Sequence, residues 1–505
     1  MSKSFLFLIT LYLATRFFNL LALPIFNDES IYLHWGQIMT GVPNNAFYSL
    51  FDGKPPFILW LFGFFQNLPI DPLVAGRLVS ILFGLGTLIG IIQLARLIKF
   101  SQKAQILVSL LYIFNPLMLF FDRLAILDSP ISAIFIWVLY CSLSLGRSDL
   151  STGRTSLKVI ALGLLLALGL WIKGSANLFL FLPFIIPCLT LLFDKNSKKA
   201  GKEFLFYSFS FLLAQLLFIP IRLQPLFQTY SKRESDFLLF PLPTSFLSLL
   251  NSLPSVALAK GGHLSLLSLT LIIYVTPLVL LFAVFGFQKL YKKEPKTALL
   301  LALWLFLPLA FEISFAKYFL SRYFLFSIIP IFFFTALSLD SLKKFQKPAL
   351  LLTFILPLAL VLALAISPLK TIQTISFNQI LKSDMPQYVS GWPSGYGVKE
   401  TADWLLNKSK TSPILVITRG DSGNPEDGMF VYLANKPNII LAQTSQKLTS
   451  KDLEPFKNLP IYFVSRGEQY LDMKNQLVEQ KIFPKPEGTE FVGIYQIKNV
   501  DSGKQ

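Results

Sequence analysis

Long apolar blocks separated by short polar clusters fill most of this chain. A helix needs roughly 20 apolar residues to cross the ~30 Å hydrocarbon layer of a bilayer. Blocks of that kind stand at 5–23, 74–98, 105–121, 129–146, 157–172, 175–193, 203–221, 264–287, 297–315, 319–339 and 348–368, which predicts about eleven spans. The first block follows Lys3 in the manner of a signal peptide. No small-residue cleavage site comes after it and Arg16 and Asn19 interrupt its second half, so it reads as a retained span.

The pattern changes near Pro368, and residues 370–505 mix polar and apolar positions over a length suited to one small domain. Helical patterns at Val398–Asn407 and Gln469–Gln480 alternate with β-rich runs at Ile414–Thr418, Asn438–Leu441, Ile461–Ser465 and Glu490–Ile497. That order predicts a small α/β layer structure. The expected organisation is a polytopic α-helical membrane domain over 1–369 and an α/β domain over 370–505. No internal repeat is visible.

Composition agrees. Of 505 residues, 53% are hydrophobic and 14% charged, with a mean hydropathy of +0.59, too apolar for a water-soluble globule of this length. The two cysteines, Cys141 and Cys188, make neither a disulfide framework nor a Cys-based zinc site and read as small buried hydrophobes. A net charge of +17 is compatible with nucleic-acid binding. The basic residues, however, fall in short clusters between apolar blocks, which is the mark of a membrane protein and not of a nucleic-acid partner.

Those clusters set the orientation. With a cytoplasmic N-terminus, alternating spans place Arg96, Lys99 and Lys103 inside, then Arg147, Arg154 and Lys158, then Lys195, Lys198, Lys199 and Lys202. Lys289, Lys292, Lys293 and Lys296 follow, and finally Lys343, Lys344 and Lys347, so that every dense basic loop lies on one face. Counting the short apolar segment Pro56–Leu68 as a span would invert all later loops. It therefore reads as a re-entrant or interfacial helix in the first outer loop, and the C-terminal domain is expected outside the cytoplasm.

Charges left on the outer face carry the candidate chemistry. Asp28 and Glu29 adjoin in Phe26-Asn27-Asp28-Glu29-Ser30-Ile31-Tyr32, directly after the first span. Neighbouring carboxylates at a membrane surface persist when they bind a cation or take a proton; a solvated cap on a helix over about Glu29–Met39 explains them equally well. Lys54, in Phe51-Asp52-Gly53-Lys54-Pro55-Pro56, is held by a stiff corner and suits a phosphate, although a lysine that merely snorkels to the headgroups looks the same. Asp122-Arg123-Leu124-Ala125-Ile126-Leu127-Asp128-Ser129-Pro130 returns two more carboxylates to this face, and Asp128 doubles as a helix cap. Lys173 sits between two spans. Arg222, Lys232, Arg233, Lys260 and His263 populate the loop 222–263, and Glu312, Lys317 and Arg322 lie near the outer mouth of the last spans. Two histidines exclude a His-rich metal site, so a divalent cation would have to be Mg²⁺ or Mn²⁺ on oxygen ligands such as Asp28 and Asp128.

In this order, Asp28-Glu29 with Tyr32, Lys54-Pro55-Pro56, Arg77-Leu78, Arg123 and Asp128-Ser129-Pro130 resemble the dolichyl-phosphate-mannose–protein mannosyltransferase branch of the GT-C glycosyltransferases, a pattern shared by the aminoarabinose-to-lipid-A transferases. Trp171-Ile172-Lys173-Gly174 and the segment Lys317…Arg322-Tyr323…Pro330 are also similar, so the likeness spans roughly residues 1–340. It implies a GT-C-like fold and an enzyme that takes a sugar from a polyprenyl-phosphate carrier on the non-cytoplasmic side, with inversion, and passes it to a hydroxyl of a protein, lipid or glycan. Carried onto this chain, Asp28 is the candidate base with Glu29 beside it, Asp128 is the second acidic position, and Lys54 serves the carrier phosphate or acceptor. Arg123, Lys173, Arg222, Lys317 and Arg322 are further candidates for the phosphate. No Trp-Trp-Asp triad occurs in the tail, which disfavours an N-linked oligosaccharyltransferase. Gly391-Trp392-Pro393-Ser394-Gly395-Tyr396-Gly397 reads as a lid or acceptor contact by position, or as a structured linker. A flippase of lipid-linked saccharides is the competing reading; it calls for polar groups at mid-membrane, where these spans are apolar. A membrane-anchored assembly protein would need only one or two anchors.

Overall fold

The computed structural model describes residues 3–147, 153–236, 262–317, 320–342, 345–377, 384–470 and 474–497. Lys260, Lys343 and Lys344 lie outside the described residues, as does the side chain of Arg154. Seven helices among the described residues are long and apolar enough to cross a membrane, and two bent pairs raise the number to nine. The expectation of about eleven exceeds this because two blocks hold shorter helices, Lys3–Phe17 and Ile329–Asp340. The first ends just before Asn19, which takes the left-handed conformation at φ 51°. The second starts late because Pro330 belongs in a first helical turn. Cys188 is exposed and Cys141 half-buried, a correction to the buried reading; both lie on spans, where an apolar thiol can face lipid.

The chain divides into two compact units. One comprises Met1–Phe18, Met39–Leu61 and Arg77–Ala365, and the other Asn19–Ile38, Phe62–Gly76 and Ile366–Gln505.

In the first unit, proline and cap residues break two spans. Gln102–Ile113 and Pro116–Asp122 meet at 62°, where the Asn115 side chain caps the second piece and Pro116 occupies its first turn. His263–Val275 and Pro277–Lys293 meet at 96° about Thr276, whose φ is 78°. The Phe135 ring packs 5.1–5.4 Å from those of Phe179, Trp304 and Phe326, and Phe179 lies 5.2 Å from Phe326, an aromatic centre of the bundle. Helices approach closely at Gly286, where an added Cβ would stand 1.7 Å from the Phe334 carbonyl oxygen.

A buried polar knot ties the first helix to the bent pair. Asp122 Oδ2 accepts Arg16 Nη2 at 3.1 Å, Tyr112 Oη at 3.0 Å and Tyr12 Oη at 3.2 Å, while Oδ1 accepts Ser129 Oγ at 2.7 Å. Arg16 is fully buried and also donates to the Ile113 carbonyl at 2.6 Å. Gly84 leaves room for the knot, since an added Cβ would fall 2.1 Å from Tyr12 Oη. Asp122 is thereby a structural carboxylate, distinct in its surroundings from Asp128 six residues on.

In the second unit, strands β1 (Ile414–Arg419), β2 (Ile439–Thr444), β3 (Ile461–Arg466), β4 (Leu477–Pro484) and β5 (Phe491–Ile497) form one sheet in the order β2-β1-β3-β5-β4. β1 pairs in parallel with β2 and β3, and β5 runs antiparallel to β3 and β4. Leu415, Ile417, Leu453, Ile461, Phe463 and Ile497 build one core face. Val398–Ser409 is helical as expected. The described part of Gln469–Gln480 is not, residues 471–473 lying outside the described ones: Lys474–Gln476 is a single 3₁₀ turn and Leu477 opens β4, which pairs with β5 with a bulge between Glu479 and Lys481. Segment Gly391–Gly397 is a braced connection. The buried Lys485 ammonium donates to the carbonyls of Gly391 (3.3 Å), Trp392 (2.9 Å) and Ser394 (2.6 Å), and burial draws its pKa down to about 8.

Breaking one partner of a buried ion pair costs about 3–5 kcal/mol. Arg16→Met and Asp122→Ala are each expected to lower the unfolding temperature of the detergent-purified protein markedly. Melting temperatures equal to wild type would show that the knot carries no stability.

Candidate active site

Four pieces of the first unit converge on Lys173. The helix Gly153–Ile172 ends just before it, Lys173 itself is extended (φ −158°, ψ 141°), and a 3₁₀ helix Gly174–Leu180 follows, so the side chain leaves from a break between two apolar helices. Its ammonium donates to Asp128 Oδ1 at 2.7 Å. Asp128 is buried in the first turn of helix Asp128–Gly146, where the positive end of the helix favours a carboxylate. The Tyr323 ring lies 5.2 Å from Lys173 Nζ and 5.7 Å from the Arg322 guanidinium, which brings a second cation to the same ring. Glu312, on helix Pro295–Phe315, feels the fields of both Lys173 and Asp128.

Lys54 stands in the loop between helices Asn27–Gly41 and Phe57–Phe65. The 3₁₀ turn Tyr48–Asp52 closes on Gly53 at φ 71°, a left-handed position suited to glycine. Lys54 is then clamped through its backbone, its N–H donating to the Ser49 carbonyl at 3.2 Å and its carbonyl accepting Ser49 Oγ at 2.8 Å. Lys54 and Lys173 both act on Glu234, on helix Phe227–Asp236; burial nonetheless raises that carboxyl to about 7. Phe47, Trp60 and Trp171 form an aromatic wall with centroids 5.6–6.3 Å apart.

Other expected residues are placed differently. Arg123 is buried and donates to the Phe18 carbonyl at 2.9 Å, binding its turn to the end of the first helix. Arg222 is exposed and engages Gln215 and the Phe218 ring of its own neighbourhood. Lys317 is exposed. His263 Nδ1 lies 3.0 Å from the Ile313 carbonyl oxygen, and Arg233 Nε lies 3.9 Å from Asp52.

Asp28 and Glu29 belong to the second unit, on helix Asn27–Gly41. Glu29 is fully buried, and its Oε2 accepts the Phe26 N–H at 2.9 Å, as a third-position glutamate does when it reaches back to cap its own helix. Asn27 fixes the helix start: its N–H donates to the Pro393 carbonyl at 2.9 Å and its Oδ1 accepts the Asn424 N–H at 3.0 Å. Asp28 is half-buried in that first turn, 3.4 Å from Asn27 Nδ2. Two turns along, His34 Nδ1 meets Asp427 Oδ1 at 2.5 Å and stacks on Phe430.

Glu234, His34, Asn424 and Asp427 are absent from the sequence-based site. Glu234 stands beside the cations Lys232 and Arg233 in the sequence, and the polar run Thr418–Gly428 between a strand and a helix marks Asn424 and Asp427. Among the described residues, no three His, Cys, Asp or Glu side chains group as a metal site. Asp128 Oδ1 instead takes a lysine ammonium.

The family model described as dolichyl-phosphate-mannose-protein mannosyltransferase matches residues 46–231. No curated protein matches the chain in sequence. Among solved structures, ArnT from Cupriavidus metallidurans in the apo state is similar at a TM-score of 0.57 and 13% identity, covering 99% of each chain. The Archaeoglobus fulgidus oligosaccharyltransferase in the apo form is similar at 0.56 and 13% identity, covering 92% of this chain and 69% of that one. The resemblance seen in the motifs thus recurs in a family match and in the fold: a multi-pass membrane glycosyltransferase of GT-C architecture with a small C-terminal sheet domain.

Removing an electrostatic group that acts only in the transition state costs on the order of 10²–10³ in rate. Lys173→Met is expected to lower glycosyl transfer by about that factor, measured on purified protein of unchanged elution profile. Wild-type turnover would exclude Lys173 from the chemistry.

Proposed function

We propose that this chain, a membrane glycosyltransferase by family match and fold, moves a hexosyl or pentosyl unit from a polyprenyl-phosphate carrier to a hydroxyl acceptor on the non-cytoplasmic face, with inversion. The observation that carries the reading is the pair of half-buried Lys173 and buried Asp128, with Lys54 acting on the same carboxyl, Glu234, as Lys173 does; Lys173, Asp128 and Lys54 all lie inside the matched segment 46–231. Arg123 and Arg222 also fall in that segment, whereas Asp28, Lys317 and Arg322 fall outside it. The carrier class is supported by fold relatives whose structures are described as bound to undecaprenyl phosphate, for ArnT, and in complex with an inhibitory peptide and a dolichol-phosphate, for the archaeal oligosaccharyltransferase AglB.

The step is a single displacement. The acceptor oxygen forms a bond to the anomeric carbon as the bond from that carbon to the phosphate oxygen breaks, and the lipid phosphate leaves with the electron pair. Asp28 takes the acceptor proton, help worth on the order of 10²–10⁴-fold. Lys54 and Lys173 neutralise the departing phosphate, and Asp128 holds Lys173 in place beforehand so that no reorganisation is needed during the reaction. Arg322, on the Tyr323 ring, is the next candidate for that charge. Protein, lipid and glycan hydroxyls all satisfy this chemistry as acceptors.

One assay tests base, face and stereochemistry together: sealed vesicles of known orientation, a polyprenyl-phosphate sugar in the bilayer and acceptor added outside. Wild type is expected to transfer only where the non-cytoplasmic face is exposed and to invert the anomeric configuration. Asp28→Asn should lower the rate at least about 100-fold at normal expression. Retained configuration, transfer on the opposite face, or full turnover by Asp28→Asn would each refute its part.

A further inference from the structure

Within the second unit, the residues that lead into Asp28 are fastened to two pieces of the tail: the connection Gly391–Gly397 and the loop 420–425 between β1 and helix Glu426–Leu433. Asn27 N–H donates to the Pro393 carbonyl at 2.9 Å, and Asn27 Oδ1 accepts the Asn424 N–H at 3.0 Å. The buried Asn424 side chain closes the arrangement, donating from Nδ2 to the Ile25 carbonyl at 3.0 Å and to the Pro393 carbonyl at 3.1 Å. Two glycines permit so close an approach. A Cβ added at Gly395 would stand 1.9 Å from the Ile25 carbonyl oxygen, and one at Gly423, where φ is 111°, would stand 2.1 Å from Asn27 Oδ1. Two turns along, His34 Nδ1 meets Asp427 Oδ1, and the other oxygen of Asp427 accepts the Gly423 N–H. The tail pieces are also braced against each other. Arg466, at the end of β3, donates to the Ser422 carbonyl at 3.0 Å and to Glu426 Oε2 at 2.6 Å, and its guanidinium lies 4.5 Å from the centre of the Trp392 ring. Lys485, just past β4, holds the carbonyls of Gly391, Trp392 and Ser394 from the other side.

An amide nitrogen carries two protons, and Asn424 spends one on each carbonyl while its backbone N–H takes Asn27. Ile25 and Asn27 are thus gripped by one residue nearly 400 positions away, directly before Asp28 in the chain. We infer that Asn424 is a positioning residue for Asp28: it fixes the segment Ile25–Asn27, and with it the place at which the acceptor proton is taken. The C-terminal sheet domain then serves the transfer step by holding the base. This rests on the reading of Asp28 as the base. Displacing a reacting group by about 1 Å costs on the order of 10²-fold in rate, so a clamp of this kind is felt in the chemistry even though it touches no substrate. Asn424→Ala removes both side-chain donations and keeps the backbone bond to Asn27, which loosens the clamp without deleting it.

The test is a double-mutant cycle on the full-length protein in its native membranes, which supply the acceptor, with radiolabelled polyprenyl-phosphate pentose and hexose as donors. The transfer rate at saturating donor and the donor KM are measured for wild type, Asn424→Ala, Asp28→Asn and the combination. Asn424→Ala is expected to lower the rate about 10- to 100-fold, with donor KM within about twofold of wild type. Once Asp28→Asn has removed the base, it is expected to cost nothing further. Lys485→Met, which loosens Gly391–Ser394 from the other side, should behave alike, and it decides the question if Asn424→Ala fails to fold. A wild-type rate in these variants, or a loss equally large in the Asp28→Asn background, as plain destabilisation would give, overturns the inference alone. An unchanged rate in Asp28→Asn itself overturns the reading of Asp28 as the base, and the inference with it.

Discussion

A single ammonium–carboxylate contact, Lys173 Nζ to Asp128 Oδ1 at 2.7 Å, sets the terms for the rest of the first unit. Both groups sit where apolar helices begin or end, so each would be costly to keep charged without the other. Asp128 gains further from the N-terminal end of its helix, and Lys173 gains from the face of Tyr323. With the pair in place, the neighbouring charges acquire meaning. Arg322 shares the same ring, Glu312 shares the same field, and Glu234 feels the fields of both Lys173 and Lys54.

Two carboxylates of one short motif show how surroundings decide a role. Asp122 and Asp128 both stand in the turn after the bent helix pair. Asp122 is enclosed by Arg16, Tyr12, Tyr112 and Ser129, which leave it no freedom to take part in chemistry and make it a clamp between the first helix and the bundle. Asp128 meets a half-exposed lysine and can exchange that partner. A similar division holds at the other acidic pair. Glu29 is spent on capping its own helix, whereas Asp28 keeps a half-buried position in the first turn.

Much of this was legible in the sequence because the bilayer imposes simple rules. Apolar length marked the spans, and charges standing apart from the dense basic clusters directed attention to Asp28, Lys54, Asp128 and Lys173. Four strands of the C-terminal sheet were visible as β-rich runs between turn residues. Periodicity misled at Gln469–Gln480, where an edge strand with a bulge blurs the alternation that identifies strands. Side chains joined across long stretches of chain, such as Arg16 with Asp122, or Asn27 with Asn424, leave no local signature at all. Two of the expected spans hold helices shorter than their apolar blocks for a related reason: the blocks at 5–23 and 319–339 are interrupted by Asn19 and by the turns before Pro330, and composition does not register such breaks.

The central claim is that the Lys173–Asp128 pair, with Lys54, receives a lipid phosphate. A structure of the full-length protein with undecaprenyl phosphate in a lipid nanodisc tests it most directly. The account predicts a phosphate oxygen within about 3 Å of Lys173 Nζ. A phosphate resolved elsewhere, with no lysine of this cluster touching it, would contradict the account.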